Sequence, residues 1–127
     1  MAINKILVLD DSPTMQRILV NTLNKAGFTT VDTANDGDDG LKKLASGGSY
    51  DLILTDWNMP VMTGIDFLKA VKADPATKHI PVIMVTSRNV KEDILLAIKS
   101  GARDYIVKPF TPEAIKEKIG TLSGSNG

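Results

Sequence analysis

Four short apolar runs in this chain each lead into residues that can bind a metal ion or a phosphate group. The residues that follow the four runs are Asp10-Asp11, Asp56, Thr86-Ser87 and Lys108. Apolar runs of this length are typical of strands in a parallel sheet that is covered on both faces. Because ligands bind outside the carboxyl ends of such strands, we expect these acids, hydroxyls and lysine to converge on one edge of the sheet.

The acidic residues in this set predict a site for Mg²⁺. Carboxylates within a few ångströms of one another repel, and a divalent cation that prefers hard oxygen ligands removes that repulsion. The alternative is that Asp10 and Asp11 only complement the dipole of the helix that follows them. A helix dipole needs one acid and does not need Asp56 opposite it, so the pattern favours the metal site.

Asp56 is the predicted nucleophile. A carboxylate can attack phosphorus to form an aspartyl phosphate, while a metal ion screens the attacking and transferring oxygens. Lys108 is a point charge suited to a phosphoryl oxygen, and it can also form an ion pair with Asp56 in the resting state. Thr86 and Ser87 could donate hydrogen bonds to the same oxygens, although this pair is also an ordinary start signal for a helix.

Strand and helix signals alternate along the whole chain and predict one α/β domain, a flavodoxin-like, doubly wound (βα)5 fold over residues 1–122. Ser12-Pro13 predicts the start of the first helix, as an N-cap followed by a proline in the first turn. Gly27 is placed to end that helix in a left-handed conformation. Residues 123–127 are expected to form a disordered tail.

The segment 29–34 is more polar than the other strands, which is typical of a strand at the edge of a sheet. We therefore expect the parallel five-stranded sheet to have the order 2-1-3-4-5, a common order in doubly wound folds. In this order the first and third strands are neighbours at the point where the connections reverse direction. Asp10-Asp11 and Asp56 would then face each other at that point.

Apolar residues at helical spacing predict which side of each helix faces the sheet. In the first helix the predicted inward residues are Ile18, Leu19, Thr22, Leu23 and Ala26. In the fourth helix, expected over residues 90–100, the predicted inward residues are Ile94, Leu95 and Ile98. Trp57, beside the predicted nucleophile, is expected to be a partly exposed structural residue.

Composition narrows the class of protein. The chain has 127 residues, and its 15 basic and 15 acidic residues cancel, so no global charge favours nucleic acid or an anionic membrane. No cysteine is present, which excludes disulfides, thiolate zinc sites and cysteine nucleophiles. Neither an export signal nor an apolar stretch of membrane-spanning length is visible, so a cytoplasmic location is expected.

These residues together resemble the receiver domain of bacterial two-component response regulators. The resemblance covers essentially the whole chain, and it is carried by Asp10-Asp11, Asp56, Thr86, Tyr105 and Lys108-Pro109. The segment 56–60 and Lys108-Pro109-Phe110 are most similar to the stand-alone chemotaxis members of that family, so no output domain is expected.

The resemblance implies a phosphoacceptor and a metal site. Asp56 would accept a phosphoryl group from a histidine kinase of the chemotaxis type. Asp11, Asp56 and the backbone carbonyl of Asn58 would bind Mg²⁺, with Asp10 acting through water. The chain would catalyse only its own Mg²⁺-dependent phosphorylation and dephosphorylation, and would not otherwise be an enzyme.

The resemblance also implies a switch. Thr86 would move toward the phosphoryl group, and Tyr105 would turn inward behind it. The surface of the fourth helix, fifth strand and last helix would then change its affinity for a partner, which is the flagellar motor switch in chemotaxis members. A phosphorelay intermediate, or another stand-alone receiver that does not act on the motor, is the alternative. We expect a monomer, with a phosphatase as a further candidate partner.

Arg88 departs from the pattern of the family, because well-known chemotaxis members carry an acid two residues after the threonine. Its guanidinium could pair with a phosphoryl oxygen and block the hydrolytic water, or it could stabilise the transition state of hydrolysis. It could also point to solvent without any effect. Pro109 could form a cis peptide bond that aims Lys108 over the site.

Two other classes of protein share parts of this pattern. A flavodoxin-like cofactor binder should have a phosphate loop rich in glycine and hydroxyls, whereas Asp10-Asp11 would repel a phosphate without a metal. An aspartyl-phosphate hydrolase needs a general acid, and Asp10 could serve. The sequence shows no substrate pocket or cap for such an enzyme.

Overall fold

The computed structural model describes residues 3–46, 49–87, 90–108 and 110–124. The strands within these ranges are β1 (Lys5–Leu9), β2 (Thr30–Ala34), β3 (Leu52–Thr55), β4 (Val82–Thr86) and β5 (Asp104–Val107). The helices are α1 (Pro13–Lys25), α2 (Gly37–Ala45), α3 (Gly64–Ala73), α4 (Lys91–Lys99) and α5 (Pro112–Gly124). The strands form one parallel sheet in the order β2-β1-β3-β4-β5, which confirms the predicted order and the predicted α/β fold.

Local hydrogen bonds and backbone angles show the predicted helix start and stop. The hydroxyl of Ser12 accepts a hydrogen bond from the backbone N–H of Met15 at 3.2 Å, and Pro13 is the first residue of α1. Gly27 follows α1 with a φ of 101°, and Gly101 follows α4 with a φ of 116°. Both glycines therefore adopt the left-handed conformation that ends a helix.

The sheet separates two apolar layers. The neighbouring residues Leu7 and Val8 of β1 lie in different layers, because successive side chains of a strand point to opposite faces. Helices α2, α3 and α4 cover the face that contains Leu7, whereas α1 and α5 cover the face that contains Val8. None of the helices in the described part of the chain is long and apolar enough to cross a membrane.

The burial predictions for four residues are wrong. Ile18 is 44% exposed, because α1 packs through Leu19 and its neighbours and Ile18 lies about 100° around the helix from Leu19. In α4, Leu95 and Ile98 are 47% and 45% exposed, while Ala97 is buried. Helix α4 packs on β5, the last strand of the sheet, so strands lie beneath only one side of its apolar surface. Trp57 is only 7% exposed and belongs to the core.

The last helix ends later than predicted. Helix α5 continues through Gly124, so residues 123 and 124, which were expected in the tail, have helical backbone. The final residues, 125–127, lie outside the described part of the chain, as do Arg88 and Pro109.

A polar cluster ties the edge strand β2 to the rest of the sheet. The hydroxyl of Tyr50 donates a hydrogen bond to Asp32 Oδ2 at 2.7 Å, and Lys5 Nζ lies 3.9 Å from the same oxygen. The ammonium of Lys5 also lies 4.9 Å from the centre of the Tyr50 ring. Burial of the phenol, together with its hydrogen bond to the Asp32 carboxylate, raises the pKa of Tyr50 to about 12.

This raised pKa predicts a loss of stability in alkali. Unfolded tyrosine loses its proton near pH 10, so the stabilisation from Tyr50 is complete below that pH and disappears as the pH rises toward about 12. Tyr105→Phe leaves Tyr50 as the one remaining tyrosine of the two in the chain. In that variant we expect the ultraviolet absorbance of a neutral phenol at about pH 11 while circular dichroism still shows a folded chain. Tyrosinate absorbance in the folded chain at that pH would contradict the prediction.

Candidate functional site

The three predicted acids meet at the carboxyl ends of β1 and β3. Leu9 of β1 is in register with Thr55 of β3, so Asp10 and Asp56 leave the sheet side by side. One carboxylate oxygen from each of Asp10, Asp11 and Asp56 lies within 4.8 Å of the other two. The structure therefore brings the acids together as the strand order predicts.

Lys108 connects two of these acids. Its Nζ lies 3.2 Å from Asp10 Oδ2 and 3.2 Å from Asp56 Oδ2. The backbone N–H of Lys108 donates to the carbonyl of Thr86 at 2.9 Å, which fixes the end of β5 against the end of β4. The predicted ion pair between Lys108 and Asp56 is present. The ion pair of the same length between Lys108 and Asp10 was not predicted.

The three carboxylates differ in their exposure to water. The side chains of Asp10 and Asp56 are 2% and 13% exposed, whereas Asp11 is an exposed residue. Burial raises the pKa of Asp10, and the nearby charge of Asp56 raises it further. The N–H of Ser12, 2.9 Å from Asp10 Oδ1, and the ammonium of Lys108 act in the opposite direction. A cation at this site would therefore relieve a buried, incompletely compensated negative charge.

The carboxylate of Asp56 is held in a fixed orientation. Its Oδ1 accepts a hydrogen bond from the backbone N–H of Trp57 at 2.7 Å, while its Oδ2 contacts Lys108. The backbone N–H of Asp56 donates to the carbonyl of Leu9 at 3.0 Å, which continues the pairing of β3 with β1. A nucleophile held in this way loses little conformational freedom when it reacts.

Gly64 supports the loop that follows Asp56. Its N–H donates to the carbonyl of Trp57 at 2.8 Å and begins α3 directly beneath the loop. A Cβ at position 64 would overlap the backbone carbonyl of Asp56. No sequence motif marked position 64 as part of the site. The one sequence feature that could have indicated its role is the presence of a glycine at the junction between this loop and α3.

Gln16 supports the loop that contains Asp10. Its side-chain amide donates to the backbone carbonyl of Asp10 at 2.6 Å and to Asn35 Oδ1 at 3.0 Å. One polar side chain of α1 thus joins the ends of β1 and β2 beside the acids. Gln16 was not predicted as a site residue, because an amide on the first helix carries no sequence signal for a contact across the fold.

The remaining predicted residues surround the acids at different depths. Thr86 is fully buried at the end of β4, while Ser87 beside it is exposed. Asn58 is exposed in the loop between β3 and α3. Tyr105 is only 8% exposed, so its side chain is already buried in this structure. The predicted inward turn of Tyr105 would therefore not begin from an exposed side chain. Arg88 lies outside the described residues, and its role stays a prediction.

An apolar groove opens beside Lys108. Its lining residues are Met15, Ile18, Ser87, Lys108 and Phe110, and its volume is about 410 Å³. The partly exposed side chain of Ile18, which was expected in the core, forms part of this wall.

The acidic cluster fits a magnesium ion. Mg²⁺ prefers carboxylate, carbonyl and water oxygens, and it commonly keeps several waters while binding one or two carboxylates. Asp11 is exposed, so one side of the cluster is open to water. The less exposed carboxylates of Asp10 and Asp56 supply negative charge on the protein side of the cluster. Asp11, Asp56 and the carbonyl of Asn58 are the candidate ligands.

We expect Asp11→Ala to weaken Mg²⁺ binding by roughly tenfold or more, because the variant removes one of few protein ligands. The fluorescence of Trp57, whose backbone N–H contacts Asp56, should report the titration. Asp38→Ala is the matched control, since it removes an exposed acid on α2 that pairs with Lys42 away from the cluster. Equal Mg²⁺ affinity in Asp11→Ala and Asp38→Ala would refute the ligand role of Asp11.

This fold and cluster correspond to a known class of protein. The response regulator receiver domain family matches residues 6–120, and the chain belongs to this family. The chain is 45% identical over 122 residues to chemotaxis protein CheY1 of Helicobacter pylori, covering 96% of this chain and 98% of that protein. It is 50% identical over 115 residues to chemotaxis protein CheY of Pseudomonas aeruginosa, covering 91% and 92% of the two chains. The chain is thus a receiver domain of the CheY chemotaxis type.

Solved structures agree with this conclusion. The chemotaxis protein CheY4 of Vibrio cholerae matches with a TM-score of 0.85 and 37% identity, covering 95% of this chain and 99% of that one. The receiver domain of a Pseudomonas aeruginosa sensor histidine kinase matches with a TM-score of 0.85 and 25% identity, covering 97% and 99%. That second structure has a magnesium ion coordinated in its active-site cleft.

Proposed function

We propose that Asp56 accepts a phosphoryl group from a histidine kinase in a Mg²⁺-dependent reaction in the cytoplasm. The observation that carries this proposal is the arrangement of Asp56 between Lys108, at 3.2 Å, and the other two acids. A nucleophilic carboxylate, a cation-binding cluster and a fixed ammonium are the groups that phosphoryl transfer needs. The magnesium ion in the related receiver structure supports the metal requirement.

In the proposed reaction an oxygen of Asp56 attacks the phosphorus of a phosphohistidine. A P–O bond forms as the P–N bond breaks, and the imidazole nitrogen keeps the bonding electron pair and takes up a proton from water. Lys108 transfers its hydrogen bond from the carboxylate to a phosphoryl oxygen. Bound Mg²⁺ supplies positive charge beside the transferring oxygens. Water later hydrolyses the aspartyl phosphate to the Asp56 carboxylate and inorganic phosphate, and the chain would catalyse no reaction besides these two.

The proposed output is a change in partner binding, with the flagellar motor switch as the partner. The chemotaxis relatives support this choice, because they align over nearly their whole length. Thr86 lies at the end of β4, and its carbonyl is bonded to the N–H of Lys108 at the end of β5. Movement at Thr86 can therefore reach β5 and the helices beside it. A phosphorelay role is the alternative, and equal motor-switch binding by phosphorylated and unphosphorylated protein would favour it.

We expect Thr86→Ala to keep phosphorylation of Asp56 while losing most of the increase in partner binding. The variant leaves the acids and Lys108 in place and removes the hydroxyl that would follow the phosphoryl group, together with the γ-methyl group. The measurement is the ratio of motor-switch affinities with and without phosphorylation. Thr86→Ser, which keeps the hydroxyl at this buried position, is the control and should retain the ratio. An unchanged ratio in Thr86→Ala would remove Thr86 from the switch.

A further inference from the structure

The side chain of Gln16 on α1 meets three oxygen atoms beside the acidic cluster. Its Nε2 lies 2.6 Å from the backbone carbonyl oxygen of Asp10 and 3.4 Å from that of Ala34. Because backbone carbonyls only accept hydrogen bonds, the amide of Gln16 must turn its N–H groups toward them. Asn35 Oδ1, at 3.0 Å from the same nitrogen, is the third acceptor.

The backbone on both sides of Asp11 is fixed by hydrogen bonds. The carbonyl of Asp10 belongs to the peptide group that precedes Asp11, and this carbonyl is the one that Gln16 holds. The N–H of Ser12 belongs to the peptide group that follows Asp11, and it donates to Asp10 Oδ1 at 2.9 Å. Because a peptide group is planar, fixing both groups limits the directions in which the side chain of Asp11 can leave the backbone.

Asp11 depends on its backbone more than the other two acids do. Lys108 contacts Asp10 and Asp56 at 3.2 Å each. The carboxylate of Asp11 is exposed, and no ion pair holds it within the ranges that the structure describes. The position of this candidate ligand is therefore set largely by the two peptide groups beside it.

Asn35 is well placed to orient the amide of Gln16. The backbone N–H of Asn35 donates to Asp39 Oδ2 at 3.0 Å, in the first turn of α2. The residue before Asn35 is the last residue of β2, and its carbonyl accepts from the N–H of Asp10 at 3.1 Å. Asn35 is thus fixed on both sides, and its Oδ1 offers Gln16 an acceptor in a constant place.

We propose that Gln16 is a positioning residue for the Mg²⁺ site, and that Asn35 acts through it. Gln16 holds the carbonyl of Asp10, and this contact keeps Asp11 directed toward the other acids without touching the ion or the acceptor carboxylate. Groups that orient metal ligands in this way commonly contribute tenfold or more to metal affinity. The inference rests on the metal site of the proposed function and adds the residues that set its affinity.

The test compares Mg²⁺ binding by the parent and by Gln16→Met, with Trp57 fluorescence as the readout and no phosphodonor present. Methionine has the same length and a similar helix propensity, but it cannot donate a hydrogen bond. We expect the variant to bind Mg²⁺ roughly tenfold more weakly. Asn24→Met is the matched control, because it removes an exposed amide near the far end of the same helix, and it should bind like the parent.

Labelling with acetyl phosphate separates positioning from a general loss of structure. In Gln16→Met the Mg²⁺ concentration that gives half the maximal rate should rise by the same factor as the dissociation constant. At saturating Mg²⁺ the rate should return to within about twofold of the parent, since the metal then holds Asp11 in place. A rate that saturating Mg²⁺ does not restore would overturn the positioning role.

Asn35→Ala tests the second part of the inference and does not alter α1. The variant keeps the backbone N–H that bonds Asp39 and removes the acceptor for Gln16. It should weaken Mg²⁺ binding by less than Gln16→Met does, and the double variant should bind no more weakly than Gln16→Met alone. Affinity losses that add in full would show that Asn35 does not act through Gln16.

The affinities also separate this inference from the proposed function. A parent that binds Mg²⁺, with Gln16→Met equal to Asn24→Met in affinity, overturns the positioning role and leaves the proposed function intact. If Gln16→Met folds poorly, parental affinity in Asn35→Ala overturns the link through Asn35. A parent that binds no Mg²⁺ would instead refute the metal site, and the inference would fail with it.

Discussion

Asp56→Asn is expected to abolish phosphorylation by both a histidine kinase and a small phosphodonor such as acetyl phosphate. The substitution keeps the size of the side chain and its hydrogen bond from the Trp57 N–H, but an amide cannot form an acyl phosphate. Among the residues that the structure describes, the change removes one ion pair, the 3.2 Å contact between Asp56 Oδ2 and Lys108. We therefore expect a folded protein without phosphoryl transfer.

The measurement is incorporation of radiolabelled phosphate in the presence of Mg²⁺. Asp51→Asn is the matched control, because Asp51 lies at the opposite end of β3, where it accepts hydrogen bonds from the backbone N–H groups of Asn4 and Lys5. The control should incorporate label at the rate of the parent. Undiminished labelling of Asp56→Asn would mean that another residue is the acceptor.

Gly64→Ala is expected to lower the free energy of unfolding by about 3 kcal/mol and to slow phosphorylation. The added methyl group would overlap the carbonyl of Asp56, and backbone atoms on both sides leave little room for adjustment. Either α3 moves away from the loop or the end of β3 shifts. Both movements displace the carboxylate that must react, and a displacement of about 1 Å can cost a large factor in rate.

Gly120→Ala supplies a control for this prediction. It adds the same methyl group within α5, where nothing lies within 4 Å of the new atom. Alanine is also the better helix former, so this variant should be as stable as the parent or slightly more stable. Urea unfolding and labelling rates measured on both variants separate the effects. If Gly64→Ala unfolds and phosphorylates like Gly120→Ala, the close approach of α3 to Asp56 is wrong.

The sequence predicts the site well where a residue's position in the sheet alone decides its neighbours. The polar character of β2 places it at the edge, and this order makes β1 and β3 neighbours. Asp10 and Asp56 must then meet, whatever the details of packing. Lys108 follows β5, and a long side chain at the same edge can reach both carboxylates, although only the structure shows that it contacts them equally.

Features that depend on close approach between elements are not predictable in this way. Nothing in the spacing of residues shows that α3 begins against the carbonyl of Asp56, which is what restricts position 64 to glycine. The contact of Gln16 with the Asp10 carbonyl likewise depends on how α1 is placed over the sheet.

The prediction of which α4 residues are buried is wrong for a related reason. The apolar spacing correctly indicates that α4 is an amphipathic helix, but it cannot show how much sheet lies beneath it. Because β5 is an edge strand, Ala97 is covered while Leu95 and Ile98 remain exposed. An apolar pattern therefore marks a surface that is available for burial, and the neighbouring elements decide how much of it is covered.

If the acidic cluster makes Asp56 the one acceptor of a phosphoryl group, chemical trapping of the acyl phosphate should find it at that residue alone. The parent protein is incubated with acetyl phosphate, with Mg²⁺ or with a chelator, and is then treated with borohydride, which reduces an acyl phosphate to an alcohol. Peptide mass spectrometry should find homoserine at position 56 alone, and only in the sample that contained Mg²⁺. Reduction at another residue, or equal reduction in the presence of the chelator, would contradict the assignment.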